Sequence, residues 1–177
     1  MMKNLRLIFM LSLFLFSCES EQEKLVGQIK TISSAMKEEA FPSEENMDKV
    51  VELYDSYIDQ FPDTEETYTY MELKAKYLSA NNKHDEALLA YDELIAKYPE
   101  DLRSADALFM QAFIIENYII DIVKAKEKYS DFLKHYPNHE LADDAQFSID
   151  NLGMSDEALL EKLKAMLPDS AEIVETN

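Results

Sequence analysis

The chain has 177 residues, two glycines, no tryptophan and one cysteine, with 36 acidic against 17 basic side chains and a formal charge of −19. That length fits one domain with a real core, and so little glycine argues against a turn-rich β fold and for helices. An acidic surface of this kind excludes nucleic acid as a partner, because phosphates are bound by neutralising them with Lys and Arg, and a single cysteine excludes an internal disulfide.

The first eighteen residues differ from the rest. Met1 to Arg6, MMKNLR, is a short cationic start, and Leu7 to Phe16, LIFMLSLFLF, is an apolar run too short to span a bilayer comfortably. Lys3 and Arg6 precede Cys18, and every acidic residue follows it. Leu15-Phe16-Ser17-Cys18 sets a small residue directly before the unique cysteine. This resembles a bacterial lipobox, the Leu-x-small-Cys pattern cut just before its cysteine. The resemblance implies a signal peptide over residues 1–17 and a covalent diacylglyceryl group with an N-acyl chain on Cys18, with no other cofactor. Competing readings are an uncleaved anchor and an ordinary signal with an incidental cysteine. Stable anchoring needs at least two acyl chains at ~0.8 kcal/mol per buried methylene, and a three-chain lipoprotein meets that requirement. Residues 18–23 then read as a lipidated tether. Its acids, Glu19, Glu21 and Glu23, resemble outer-membrane sorting signals of some Gram-negative lineages. The expected location is the bacterial outer membrane, with the periplasmic side and the cell surface both open.

Lys24 to Glu39 reads as one helix and Glu44 to Gln60 as another, broken at Phe41-Pro42-Ser43. From there the chain repeats. Tyr54-DSYIDQF-Pro62, Tyr91-DELIAKY-Pro99 and Tyr129-SDFLKHY-Pro137 are spaced by 37 and then 38 residues. Each is an amphipathic helix stopped by a proline, which cannot continue it. Val50, Ala87 and Ala125 sit four residues before the tyrosines, on the small side of a close helix contact. Ala75 and Ala112 follow the first two prolines by thirteen residues. The three tyrosines are expected in the core, since a buried aromatic covers ~150–250 Å².

This alternation resembles the tetratricopeptide repeat (TPR), in the long-turn variant of bacterial envelope lipoproteins and periplasmic proteins, including the TPR lipoprotein of the β-barrel assembly machinery. The resemblance covers about Met47 to Leu152. It implies an all-α, TPR-like antiparallel helix-pair solenoid of about two to three repeats over residues 24–168, with a flanking N-terminal helix and a C-terminal capping helix. Departures are Asn81-Asn82 and a long "NYIID" at the turns inside the pairs, and Asp150 where a small residue is expected. The cap would run over SDEALLEKLKAML with Ser155 as N-cap, before a disordered polar tail over 169–177.

Catalytic patterns are poor. His84 reads as a turn residue, His135 and His139 are separated by Pro137 so share no helical face, and no Gly-rich phosphate loop, GxSxG or HExxH occurs. Neither an enzyme nor a metal site is expected. Carrying over the TPR groove positions selects Thr69, Glu72 and Lys76, then Asp106, Phe109, Phe113 and Glu116, then Asp144, Phe147 and Asn151. Those residues would either line a groove for a protein or peptide segment, apolar with Lys or Arg, or pack the core. The resemblance thus implies a lipid-anchored interaction adaptor in outer-membrane or envelope protein assembly. The alternative is an accessory ligand- or substrate-binding surface lipoprotein.

Overall fold

The computed structural model describes residues 20–39, 42–99 and 101–166. The signal peptide, Cys18 and the expected tail lie outside the described residues. Those described form eight α-helices and one π-helical turn, with no strand among them: α1 (Glu21–Glu38), α2 (Glu44–Gln60), α3 (Glu65–Ala80), α4 (His84–Lys97), α5 (Arg103–Ile114) continued by the π-turn Ile115–Ile119, α6 (Ile122–His135), α7 (Ala142–Asn151) and α8 (Asp156–Met166). The protein is all-α. None of its described helices is long and apolar enough to cross a membrane.

The first helix begins earlier than its hydrophobic pattern suggests. Ser20 Oγ accepts from the Glu23 N–H at 3.2 Å, while the Glu23 carboxylate accepts from the Ser20 N–H at 2.9 Å. This capping box satisfies two donors that a helix start leaves orphaned. The Ser20 contacts also hold the Glu23 carboxyl below the usual carboxylate range. Glu21 to Glu23 are therefore the first turn of α1, three residues ahead of the expected helix start at Lys24.

The B-type helices α2, α4 and α6 end identically. Phe61, Tyr98 and Tyr136, each directly before a proline, adopt φ/ψ of −130/57, −127/55 and −129/55°, and each donates its N–H to the carbonyl four residues back. A proline ring clashes with an αR residue before it, so the chain leaves the helix at the same point each time. Two hydroxyls then secure the break: Thr67 Oγ1 donates to the Phe61 carbonyl, and Ser104 Oγ donates to the Tyr98 carbonyl at 2.6 Å. Both side chains are fully buried. The third break has Ala142 at the equivalent position and no hydroxyl.

Two compact units are present, one up to Thr67 and one from Tyr68. In the first, α1 and α2 bury Leu25, Ile29, Met36, Val50, Tyr54 and Tyr57. Gln22 Nε2 donates to Tyr57 Oη at 2.7 Å, and Tyr57 Oη and Thr64 Oγ1 are 3.1 Å apart. In the second, Ala75, Ala87, Ala112 and Ala125 are wholly buried, as are Tyr91 and Tyr129. Alanine at these places lets helix backbones approach closely while the tyrosines fill the space beside them. Gln111 is buried too. Its amide donates to Leu88 O and Asp92 Oδ1 at 3.2 and 2.6 Å and accepts from Lys128 Nζ at 2.8 Å, so that one side chain joins α4, α5 and α6.

The turns inside the helix pairs differ. After α3, Asn82 takes the left-handed conformation (φ 58°) and Lys83 N–H bonds Leu78 O at 2.9 Å, a Schellman closure with Asn in place of Gly. After α5, the expected "NYIID" loop is instead the π-turn, closed by Asp121 N–H on Ile115 O at 3.2 Å. Ile120 terminates it at φ 60°, ψ 40°. A β-branched residue is strained there, at roughly 1–2 kcal/mol, and Ile120 is 73% exposed, so its side chain gives little packing in return. Ile120→Gly is expected to raise unfolding stability by about 1 kcal/mol, the strain released less the chain entropy of glycine. Urea unfolding checks this; an unchanged or lower midpoint would show that the isoleucine side chain is held by contacts of its own.

Candidate functional site

The groove positions chosen from the sequence lie on the A-type helices α3, α5 and α7, with Glu116 on the π-turn that continues α5. Successive positions four apart share a helical face, which puts Tyr68, Glu72 and Lys76 in one stripe of α3. Lys76 Nζ reaches Glu72 Oε1 at 2.7 Å, and Thr69 is exposed. On α5, Asp106 is half-buried and its Oδ1 lies 3.7 Å from His139 Nε2. Arg103 lies over the Tyr68 ring at 3.9 Å and is held in bidentate fashion by Asp101, with its Nε and one terminal nitrogen at 3.0 and 2.7 Å. Those bonds keep the Asp101 carboxyl below its usual range.

The predicted aromatic positions divide. Phe109 packs edge-on against Tyr129 and Phe132, with ring centroids 5.5 and 5.7 Å away, and belongs to the core of α5, α6 and α7. Glu116 is likewise turned to a structural task, accepting from Tyr129 Oη at 2.7 Å. Phe113 and Phe147 are 37% and 47% exposed. Tyr118, half exposed, stands against Phe113 edge-on at 6.3 Å and stacks on His84 at 4.2 Å. Asp144 is exposed, and Asn151 accepts from Lys162 Nζ at 2.8 Å. Asp150 is exposed and takes a bond from Gln146, while Ala145 is the wholly buried small residue of α7. Ser155 Oγ accepts the Ala158 N–H at the start of α8.

Sequence reasoning passed over Tyr68, while Tyr91 is buried as expected. Tyr68 and Tyr91 are buried, and their hydroxyls meet no hydrogen-bond partner among the described residues. Burial pushes both phenols well above their usual range, and the fields of Glu72 and Asp106 push each further. Asp106 itself is raised, first by burial and then by Glu72 and Glu140, against the opposing pull of His139 and Lys76. Among the described residues no group of three or more His, Cys, Asp or Glu could hold a metal ion.

The model of the tetratricopeptide repeat matches residues 69–101, which are α3 from its second turn through α4 and the proline break after it. No curated protein matches the chain. The fold is thus TPR-like, and TPR helix pairs commonly bind protein partners.

A pH dependence follows from Asp106. Its raised folded value means the native state holds the proton more tightly than the unfolded chain, so Asp106 favours folding below the ordinary carboxylate range and opposes it as pH rises through the raised value. Asp106→Asn is therefore expected to be more stable than the parent at neutral pH, the difference shrinking as pH falls to about 4. Urea midpoints across that range test this; a gap that widens on acidification would contradict it.

Proposed function

We propose that this chain is a lipid-anchored, TPR-like protein-interaction adaptor of the bacterial cell envelope. It is held through Cys18 at the outer membrane and serves outer-membrane or envelope protein assembly. The partner binds the face of α3, α5 and α7. The observation carrying this reading is the pair of exposed phenylalanines, Phe113 and Phe147, set among carboxylates on the A-type helices. Apolar rings left in water on a surface of this charge suit an apolar segment with basic residues, because the rings supply contact area and the acids supply complementarity. The lipobox-like leader supports the anchor. Tethering raises the effective concentration of the repeat face at the membrane without any new contact.

Two experiments test the reading. Labelling with a palmitate analogue is expected to mark the parent chain and not Cys18→Ala; label retained in the variant would refute the anchor. Crosslinking from membranes is expected to recover a partner that is lost in the double variant Phe113→Asp, Phe147→Asp. Both rings are partly in water, so that variant keeps the helical circular dichroism signal, whereas Phe109→Asp would disrupt the core. A partner still crosslinked to the double variant would overturn the assignment of this face.

A further inference from the structure

We propose that the turn joining α5 to α6 is a membrane-contact tip: Ile119, Ile120, Ile122 and Val123 enter the apolar edge of a phospholipid bilayer, with Tyr118, Lys124 and Lys126 at the level of its headgroups. The inference goes beyond the anchor at Cys18 and rests on that reading only for bringing a bilayer within reach. All eight residues from Asn117 to Lys124 are exposed, and five of them carry large apolar side chains. Ile120 and Val123 are 73% and 72% exposed, Ile119 and Ile122 41% and 42%. The patch continues across the next turn: a Cβ at Gly153 would meet Ile122 Cδ1 at 2.9 Å, which brings the exposed Met154 beside the tip. Single exposed apolar residues are ordinary, whereas a contiguous set marks an interaction site. The backbone gives an independent sign. Ile120 holds φ 60°, where Asn or Gly sits with little strain, as Asn82 does at the corresponding turn after α3. Strain of this kind persists at working sites, and packing within the chain does not explain it, since the side chain stands in water.

Charge selects the occupant. In a chain of formal charge −19, the stretch from Asn117 to Lys126 holds two lysines and one acid. That acid, Asp121, is turned to the helix start, its carboxylate accepting the Lys124 N–H at 3.0 Å. Lys124 and Lys126 are exposed, and Lys126 shares a shallow depression of about 630 Å³ with Ile122 and Val123. Glu127 and Asp131, which also line it, stand one and two turns up α6 from Val123, away from the tip. Branched apolar residues ringed by a phenol and two ammonium groups match the bilayer interface. Tyrosine suits the boundary, with one end apolar and the other wet, and lysine stems lie along apolar surface while their heads meet phosphates. A second copy fits worse. A two-fold contact of tip on tip would set Lys124 and Lys126 near their own counterparts and bring together two chains of the same high negative charge.

The chain contains no tryptophan, so a single introduced one reports its own surroundings. The full chain carrying Val123→Trp is reconstituted with vesicles of phosphatidylethanolamine and phosphatidylglycerol at about 3:1. Brominated acyl chains are expected to quench it at least threefold more than a chain carrying Leu102→Trp, a position at the other end of α5, about 20 Å away. Adding Ile120→Asn, which suits the left-handed backbone, should cut the quenching at least twofold while leaving the urea midpoint unchanged or higher. Lys124→Glu with Lys126→Glu should cut it to a similar degree with the circular dichroism unaltered. Equal quenching of the two tryptophan chains overturns the tip, as does quenching that survives either set of substitutions. A blue shift of the Val123→Trp chain that grows with protein concentration in the absence of lipid shows a second copy on the tip, and overturns the bilayer contact too. The anchor is judged separately by palmitate labelling, so either can fail while the other stands.

Discussion

Everything in the second unit is built on where its B-type helices are made to stop. The ring of Pro99 or Pro137 removes one donor and pushes the preceding aromatic out of helical space. The result is a corner of nearly constant geometry, φ near −128° and ψ near 55° at Tyr98 and Tyr136. A fixed corner delivers the following A-type helix at a repeatable place. Because of it, Ala105 and Ala112 reach the core that Tyr129, Phe132 and Ala145 complete. The corner is strengthened where a buried hydroxyl reaches back to the pre-proline carbonyl, as Ser104 does to Tyr98. Nothing of the kind is possible after Pro137, where Ala142 stands. The helix that follows, α7, is short, with a single buried residue. Repetition weakens there, and α8 follows with no buried residue of its own.

The acidity of the chain sets a second constraint. With 36 acids against 17 bases, most charges must sit in water, and those that approach the core have to be matched individually. Gln111 shows the solution inside the unit: a neutral amide gathers Asp92 and Lys128 from neighbouring helices, so no bare charge is buried. Glu116 is matched by the Tyr129 hydroxyl. Asp106 is half-buried, and its carboxyl is raised chiefly by that burial. At Asp106 the acidic surface thus holds negative charge against its preference.

How far the fold could be read from the sequence depended on the physics behind each element. The B-type helices were legible because a proline and an aromatic recur at a fixed interval, and both act through local sterics. Asn82 at the turn after α3 was legible for a similar reason, since asparagine tolerates the left-handed conformation. The start of α1 was written plainly as Ser20-x-x-Glu23, yet the acids around it suggested a solvated tether instead. The π-turn at Ile115 to Ile119 has no propensity signature, because it arises from tertiary accommodation of an inserted residue. The candidate face was legible only as a stripe of positions. Which phenylalanine enters the core depends on what the neighbouring helix presents, and Tyr129 and Phe132 draw in Phe109 while the more exposed Phe113 meets Tyr118 edge-on. The buried Thr67 and Ser104 do carry a readable signal, since each follows its proline by five residues.

Most of the buried polar groups named above are satisfied from within the chain. Leaving a buried donor or acceptor unpaired costs about 1–3 kcal/mol, a large share of the margin by which a domain is stable. Along the breaks and between the helices the protein avoids that cost: Tyr57, Thr67, Ser104, Gln111 and Tyr129 all have partners within the chain. The exceptions among the described residues are Tyr68, Tyr91 and the Nδ1 atom of His84. All three stand on one helix pair, Tyr68 on α3 and His84 and Tyr91 on α4, and the His84 ring stacks on the exposed Tyr118. Tyr129, the counterpart of Tyr91 in the next pair, is matched by Glu116, so the unmet polar groups are a property of the α3–α4 pair and not of the repeated tyrosine position.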